Sequence, residues 1–282
     1  MQVCTIGIIG AGTMGSGIAQ VCAGAGLNVI LTDVNEATVE KGLETIARNL
    51  DRLAAKNKLS AADKEAALAR IESSTSYDAL ATTDMVIEAA TENLAVKQTI
   101  LEQIDRLIKP DAIVASNTSS VSITKLAAAI SHPDHFIGMH FFNPVPVMTL
   151  VEIVRGLQTS DATHDTVEAL ATKLGKTSIT VKCSPGFVVN RILLPMLNEA
   201  FFVLGEGDTG PTEIDEGMKL GCNHPIGPLA LADLIGLDVL LSVMQTIHEE
   251  FGDSKYRPAP LLRELVAAGY LGRKTRRGVY RY

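Results

Sequence analysis

Two side chains of the kind that move protons stand twelve residues apart in apolar surroundings. His140 ends the run Phe136-Ile-Gly-Met-His140, and Glu152 lies inside Thr149-Leu-Val-Glu152-Ile-Val154. A carboxylate buried without a partner is costly, and a strand, a tight loop and a returning strand would let Glu152 meet His140. An imidazole so placed takes and returns a proton near neutral pH. A carboxylate behind it holds its tautomer and stabilises its protonated form. The competing reading of Glu152 is an outward-facing glutamate on an edge strand. The other histidines are less well placed: His132 and His135 flank a Pro-Asp turn, His164 starts a helix, His224 precedes Pro225 and His248 is followed by two glutamates. Asn190 is polar in an otherwise apolar helical stripe, Phe187, Leu194, Leu197 and Phe201. It either satisfies a core group or points into a site. Ser119, just after a strand-like run, is placed to donate to a substrate oxygen.

Proton chemistry of this kind suits hydride transfer between an alcohol and a nicotinamide cofactor, and the N-terminus supplies the cofactor signal. Gly10-Ala-Gly12-Thr13-Met14-Gly15 sits between the apolar strand Val3–Ile9 and the helical pattern Ser16–Ala25, and Asp33 follows the strand Val29–Thr32. Gly10 permits the tight turn, Gly12 lets a pyrophosphate approach the backbone and Gly15 allows close helix–strand packing. The helix N-terminus offers free N–H groups to phosphates. Asp33 can accept both ribose hydroxyls of the adenosine and would repel a 2′-phosphate, which favours NAD over NADP.

The elements that must position these residues alternate. Strands are expected at Asp84–Glu88, Ala112–Ala115, Phe136–Phe141, Thr149–Val154 and Ser178–Val181. Helices are expected at Leu94–Ile108 and Thr163–Leu174, with a long helical insertion over Asn35–Arg70. Such alternation argues for a parallel, doubly wound α/β sheet, whose ligands sit outside the carboxyl ends of the strands. Glu88 to Glu92, Asn117 to Ser119 and His140 to Asn143 fall there. From Pro185 strands disappear, and helices are expected at Gly186–Leu204, Pro211–Leu220, Pro228–Leu234, Val239–Phe251 and Leu261–Ala268. Ser184-Pro185 reads as the N-cap and first residue of the first of these. The boundary between a Rossmann-type domain (1–184) and an all-helical domain (185–282) therefore falls at Ser184.

The chain has 282 residues, 46% hydrophobic and 20% charged, which excludes a disordered chain. Its net charge of -7 argues against a nucleic-acid partner. No charged residue precedes Asp33, but this stretch has no positive n-region and its glycines interrupt every long apolar run, so no signal peptide or membrane span is expected. Cys4, Cys22, Cys183 and Cys222 form no metal or redox pair. Cys4 and Cys22 read as small core residues, and reduced thiols fit a cytoplasmic protein. No metal site is expected. Arg48, Arg52 and Lys56 share one face of the insertion, either a solvated face or a surface for an anionic ligand.

Taken together, these residues resemble the 3-hydroxyacyl-CoA dehydrogenase family, in its short single-function form. The resemblance covers nearly the whole chain. It is carried by Ile9-Gly-Ala-Gly-Thr-Met-Gly15, Ala115-Ser-Asn-Thr-Ser-Ser120, Gly138-Met-His-Phe-Phe-Asn-Pro144, Val151-Glu-Ile-Val154, Pro185-Gly-Phe-Val-Val-Asn-Arg191, Pro225-Ile-Gly-Pro-Leu-Ala-Leu-Ala-Asp233, Gly236-Leu-Asp238 and Leu271-Gly-Arg-Lys-Thr275. One departure is Arg276, where the tail motif often has glycine.

The resemblance implies interconversion of a short-chain (S)-3-hydroxyacyl-CoA, such as (S)-3-hydroxybutyryl-CoA, and the 3-ketoacyl-CoA, with NAD. It makes His140 the base paired with Glu152, and has Ser119 and Asn190 contact the reacting oxygen. It also implies cofactor contacts at Asp33, Glu92, Lys97, Asn117 and Asn143, beside Thr13 and Met14 of the glycine turn, and turns Lys56 and Arg52 toward the CoA phosphates. A homodimer through the helical domain, with the active site between domains, is implied as well. Three alternatives stay open: an NAD-dependent dehydrogenase of another hydroxy acid, a non-catalytic structural relative, and a chain that works as one subunit of a larger β-oxidation complex.

Overall fold

The computed structural model describes residues 2–282. The chain divides into two compact units, Met1–Cys183 and Ser184–Tyr282. In the first, the strands β1 (Thr5–Ile9), β2 (Asn28–Thr32), β3 (Ile71–Ser74), β4 (Met85–Glu88), β5 (Ile113–Ser116), β6 (Phe136–Phe141), β7 (Leu150–Arg155) and β8 (Thr177–Lys182) form one sheet. Their order is β3-β2-β1-β4-β5-β6-β7-β8. The chain winds outward from β1 to β3 and then crosses back to β4, so the order reverses between β1 and β4, the position where open α/β sheets bind ligands.

Helices α1 (Thr13–Gly24), α2 (Glu36–Ala55), α3 (Ala61–Ala69), α4 (Leu94–Asp105), α5 (Ile123–Ala127) and α6 (Asp161–Lys173) belong to the same unit. Ile6, Ile8 and Ile9 of β1 are buried on both faces, which is why this strand reads as an unbroken apolar run. The helix α2 turns Val39, Ile46 and Leu50 inward at helical spacing and starts where the Asn35 side chain accepts from the Ala37 N–H.

β7 runs antiparallel to β6, the tight return that the spacing of His140 and Glu152 suggests; only eight residues join them, too few for the crossover that a parallel pair requires. Three details of this unit differ from the sequence reading. The insertion is two helices, because Asn57 turns left-handed (φ 54°) beyond α2 and Ser60 caps α3. β3 and α5 are additional elements; β3 carries Glu72, Ser73 and Ser74 at the sheet edge, with little apolar pattern to mark it. Cys4 is exposed rather than part of the core, whereas Cys22 is buried and its thiol is pushed up to about 12 by burial.

The second unit holds α7 (Val189–Glu206), α8 (Pro211–Cys222), α9 (Pro228–Ile235), α10 (Leu237–Phe251) and α11 (Pro260–Ala267) around Leu197, Phe201, Leu229, Leu240, Met244 and Leu262. Proline opens α8, α9 and α11, where its missing N–H costs nothing. Pro185 does not open α7. Gly186 (φ 76°) and Phe187 (φ 50°) interrupt the chain first, so the helix starts at Val189 and Phe187 lies before it. The C-terminal tail is fastened by Asp233, which accepts from the N–H groups of Val279 and Tyr280. No single helix among the described residues is long and apolar enough to cross a membrane; α9 and α10 would pass only together, and they bend by 96°.

Candidate active site

The glycine turn between β1 and α1 is built for a ligand with a phosphate backbone. Gly10 has φ 100°, and a Cβ at Gly15 would lie 1.7 Å from the Gly10 carbonyl oxygen, so both positions demand glycine. At Gly12 a Cβ would meet nothing within 4 Å, leaving open space against the backbone. The other α-helices of this unit are capped by Asn35, Ser60, Asn93, Ser122 or Ser160. Gly12 caps α1 with no side chain, so the first-turn N–H groups face the open space.

A cavity of about 360 Å³ lies against this turn, lined by Gly12, Thr13 and Ser16 on one side, Thr38, Lys41 and Asn49 of α2 on another, and Asn143 to Pro146 on a third. Arg52 and Lys56 are exposed and continue the α2 face beyond Asn49; they do not line the cavity. Met14 is partly buried against the core. At the tip of β2, Asp33 Oδ2 accepts from the Ala11 N–H at 2.9 Å. The Tyr77 phenol is raised by burial first and then by the charges of Asp33 and Glu88. An open turn, bare helix N–H groups and a carboxylate at the next strand fit a dinucleotide without a 2′-phosphate.

The carboxyl ends of β4 and β5 carry a second cluster. Glu88 is fully buried. It accepts from Lys97 Nζ at 2.6 Å, from Ser116 Oγ at 2.9 Å and from the Ala90 N–H at 2.9 Å. Lys97 is 1% exposed, and its ammonium also lies 4.0 Å from Glu92. Glu92 in turn accepts from Thr118 Oγ1 and from both the N–H and the hydroxyl of Ser119, each at 2.6 Å. Asn117 Oδ1 accepts from the Phe141 N–H at 2.9 Å, which ties this loop to the end of β6 beside His140.

His140 and Glu152 stand directly opposite each other in the β6–β7 register, so their side chains share a face. His140 Nδ1 lies 2.7 Å from Glu152 Oε2. Glu152 is fully buried and His140 nearly so, and β7 is covered by β8 on its far side, so Glu152 is not on an edge. With Nδ1 donating to the carboxylate, the neutral ring carries its proton at Nδ1, and Nε2 is the nitrogen that takes up a second one. Asn190 belongs to the second unit, half-buried in the first turn of α7.

Three contributors escaped the sequence reading. Gly42 lets α2 abut the glycine turn, since a Cβ there would lie 2.7 Å from the Ala11 carbonyl oxygen. Its spacing from Val39 and Ile46 on one helical face was visible, but not the backbone it meets. Thr118 holds Glu92, and Lys176 holds the 143–148 loop; neither stands out from its sequence neighbours.

Known proteins resemble this chain over its whole length. Residues 5–184 match the model of the 3-hydroxyacyl-CoA dehydrogenase NAD-binding domain, and residues 186–282 match that of the same family's C-terminal domain. A probable 3-hydroxybutyryl-CoA dehydrogenase of Bacillus subtilis is 51% identical over 282 residues, covering 100% of this chain and 98% of that protein. A 3-hydroxybutyryl-CoA dehydrogenase of Bradyrhizobium diazoefficiens is 52% identical over 98% of this chain and 94% of its own length. The crystal structure of (S)-3-hydroxybutyryl-CoA dehydrogenase from Ralstonia eutropha superimposes with a TM-score of 0.97 at 68% identity, covering 100% of this chain and 99% of that one. With a glycine turn shaped for NAD and both family domains matched end to end, the chain belongs to the 3-hydroxyacyl-CoA dehydrogenase family.

Proposed function

We propose that this protein interconverts a short-chain (S)-3-hydroxyacyl-CoA, (S)-3-hydroxybutyryl-CoA first among them, and the corresponding 3-ketoacyl-CoA, with NAD as the redox partner. The observation that carries the reading is the buried His140–Glu152 pair, 2.7 Å apart, at the carboxyl end of β6. NAD, when bound, supplies the acceptor or donor for hydride. In oxidation His140 takes the hydroxyl proton at Nε2. Glu152 holds the tautomer and stabilises the imidazolium that forms. In reduction the protonated ring returns that proton to the keto oxygen, with Asn190 as a second donor.

Ser119 orients the oxygen, and its hydroxyl is held by Glu92 until substrate arrives. Gly10, Gly12, Thr13, Met14 and Gly15 cradle the pyrophosphate, Asp33 takes the ribose, and Asn117 and Asn143 border the cofactor. Lys97 bears on the cofactor through Glu92. Arg52 and Lys56 meet the CoA phosphates. We further infer a cytoplasmic homodimer without nucleic-acid or membrane partners. Four free cysteines and the net charge of -7 support this. So does a groove of about 420 Å³ on the second unit, lined by Phe201, Phe202, Pro260 and Leu261 with Glu206 and Glu264 beside them.

The test is loss of NADH absorbance with acetoacetyl-CoA, run beside free acetoacetate. Fast turnover of the thioester alone is the expected result. Equal turnover of the free acid points to a dehydrogenase of another hydroxy acid, and no turnover of either to a non-catalytic relative. Sedimentation velocity checks the dimer.

A further inference from the structure

Of the eight residues between β6 and β7, Asn143 to Pro146 form one wall of the cavity, yet the segment holds few hydrogen bonds of its own. Within the segment the N–H groups of Val147 and Met148 both donate to the Pro144 carbonyl at 2.9 Å. Val145 is buried against the α1 backbone at Gly17, where a Cβ would lie 2.9 Å from the Val145 Cβ. The remaining support comes from outside. Lys176, between α6 and β8, donates from Nζ to the Val145 carbonyl at 2.6 Å and to the Met148 carbonyl at 2.7 Å.

We propose that Lys176 is a positioning residue for the cofactor: by clamping these two carbonyls it fixes the 143–146 wall of the cavity and so sets dinucleotide affinity. Two observations single it out. Among the described residues no carboxylate pairs with Lys176, so the loop carbonyls are its partners. Burial also pulls its ammonium below the usual lysine value, outweighing the nearby Cys22 sulfur, which acts the other way. A half-buried cation needs such acceptors, and an ammonium with its donors can reach both carbonyls at once.

The inference rests on the cavity being the dinucleotide site, which NADH binding by the unaltered protein tests separately. In the NADH-free protein Lys176→Met should speed hydrogen exchange at the Val147 and Met148 amides by about tenfold, the loss expected for a charge-assisted hydrogen bond. NADH titrated by its fluorescence should bind about tenfold more weakly, while kcat with acetoacetyl-CoA stays within about threefold. Lys176→Arg should restore most of both. If Lys176→Met does not fold, Lys176→Gln, which keeps one amide donor group, should show the same two effects in smaller measure. The proposal fails if NADH affinity is unchanged, if exchange rises equally at β1, or if arginine rescues neither defect.

Discussion

Replacing His140 by glutamine keeps a side chain of similar reach and removes the group that accepts a proton. Because Nδ1 is held by Glu152 and the ring is not part of the glycine turn, His140→Gln should bind NADH as the parent does. Its kcat should fall by ~10²–10⁴, the usual contribution of a positioned general acid–base. Steady-state turnover and fluorescence titration separate the two effects, and full activity in the variant would remove His140 from the chemistry. Asp33 is tested differently, since its role is discrimination. Asp33→Ala loses both the ribose acceptor and the bond to the Ala11 N–H. The ratio of kcat/KM for NADH over NADPH should drop by about tenfold or more. An unchanged ratio would reject the ribose assignment while leaving the rest of the turn intact.

At the scale of elements, β4, β5 and α4 are joined by one buried ion pair. Glu88 and Lys97 are each almost wholly removed from water, and Ser116 completes the set. Removing one partner strands a charge, so Glu88→Leu should cost ~3–5 kcal/mol in denaturant unfolding. Adding Lys97→Met should recover much of that loss. A double change that costs the sum of its parts would mean that the two groups do not act as a pair. This network also marks the border of what sequence pattern reveals. The strand–glycine–helix–acid order around β1 and β2 is legible because its signals lie within about thirty residues and each has a local cause. His140 and Glu152 were legible as polar residues in apolar strands, a conflict that only a partner resolves. Lys97 enters only through the family resemblance: by residue pattern a lysine on a helix reads as solvated, and nothing nearby in sequence says that β4 places a carboxylate over it. The start of α7 was hidden for another reason, because Phe187 adopts a left-handed backbone that its residue type disfavours.

Across the first unit as a whole, contacts between distant parts of the chain decide stability, and Asp84 is the clearest of them. It accepts from the N–H groups of Cys4 and Thr5 at the head of β1 and from Lys109 Nζ at 2.9 Å, which follows α4. Burial alone would raise its carboxyl, but the Lys109 bond, the two backbone N–H groups and the Lys109 charge outweigh it and hold Asp84 below the ordinary aspartate value. A carboxyl depressed in the folded state binds its proton less readily there than in the unfolded chain. Its stabilisation is therefore complete above the unfolded value of ~3.9 and is lost as pH falls through the lower folded value. Asp84→Asn keeps the shape and removes the charge. At neutral pH the variant should melt below the parent by ~2–4 °C, the scale of a 1 kcal/mol loss in a chain of this size. As pH drops from about 4 toward 2 the parent's Asp84 protonates, so the two melting curves should converge. Melting by circular dichroism across that window is decisive: a gap that stays constant down to the acid end would show that the Asp84 charge adds nothing to the fold, and that the clamp on β1 works through hydrogen-bond geometry alone.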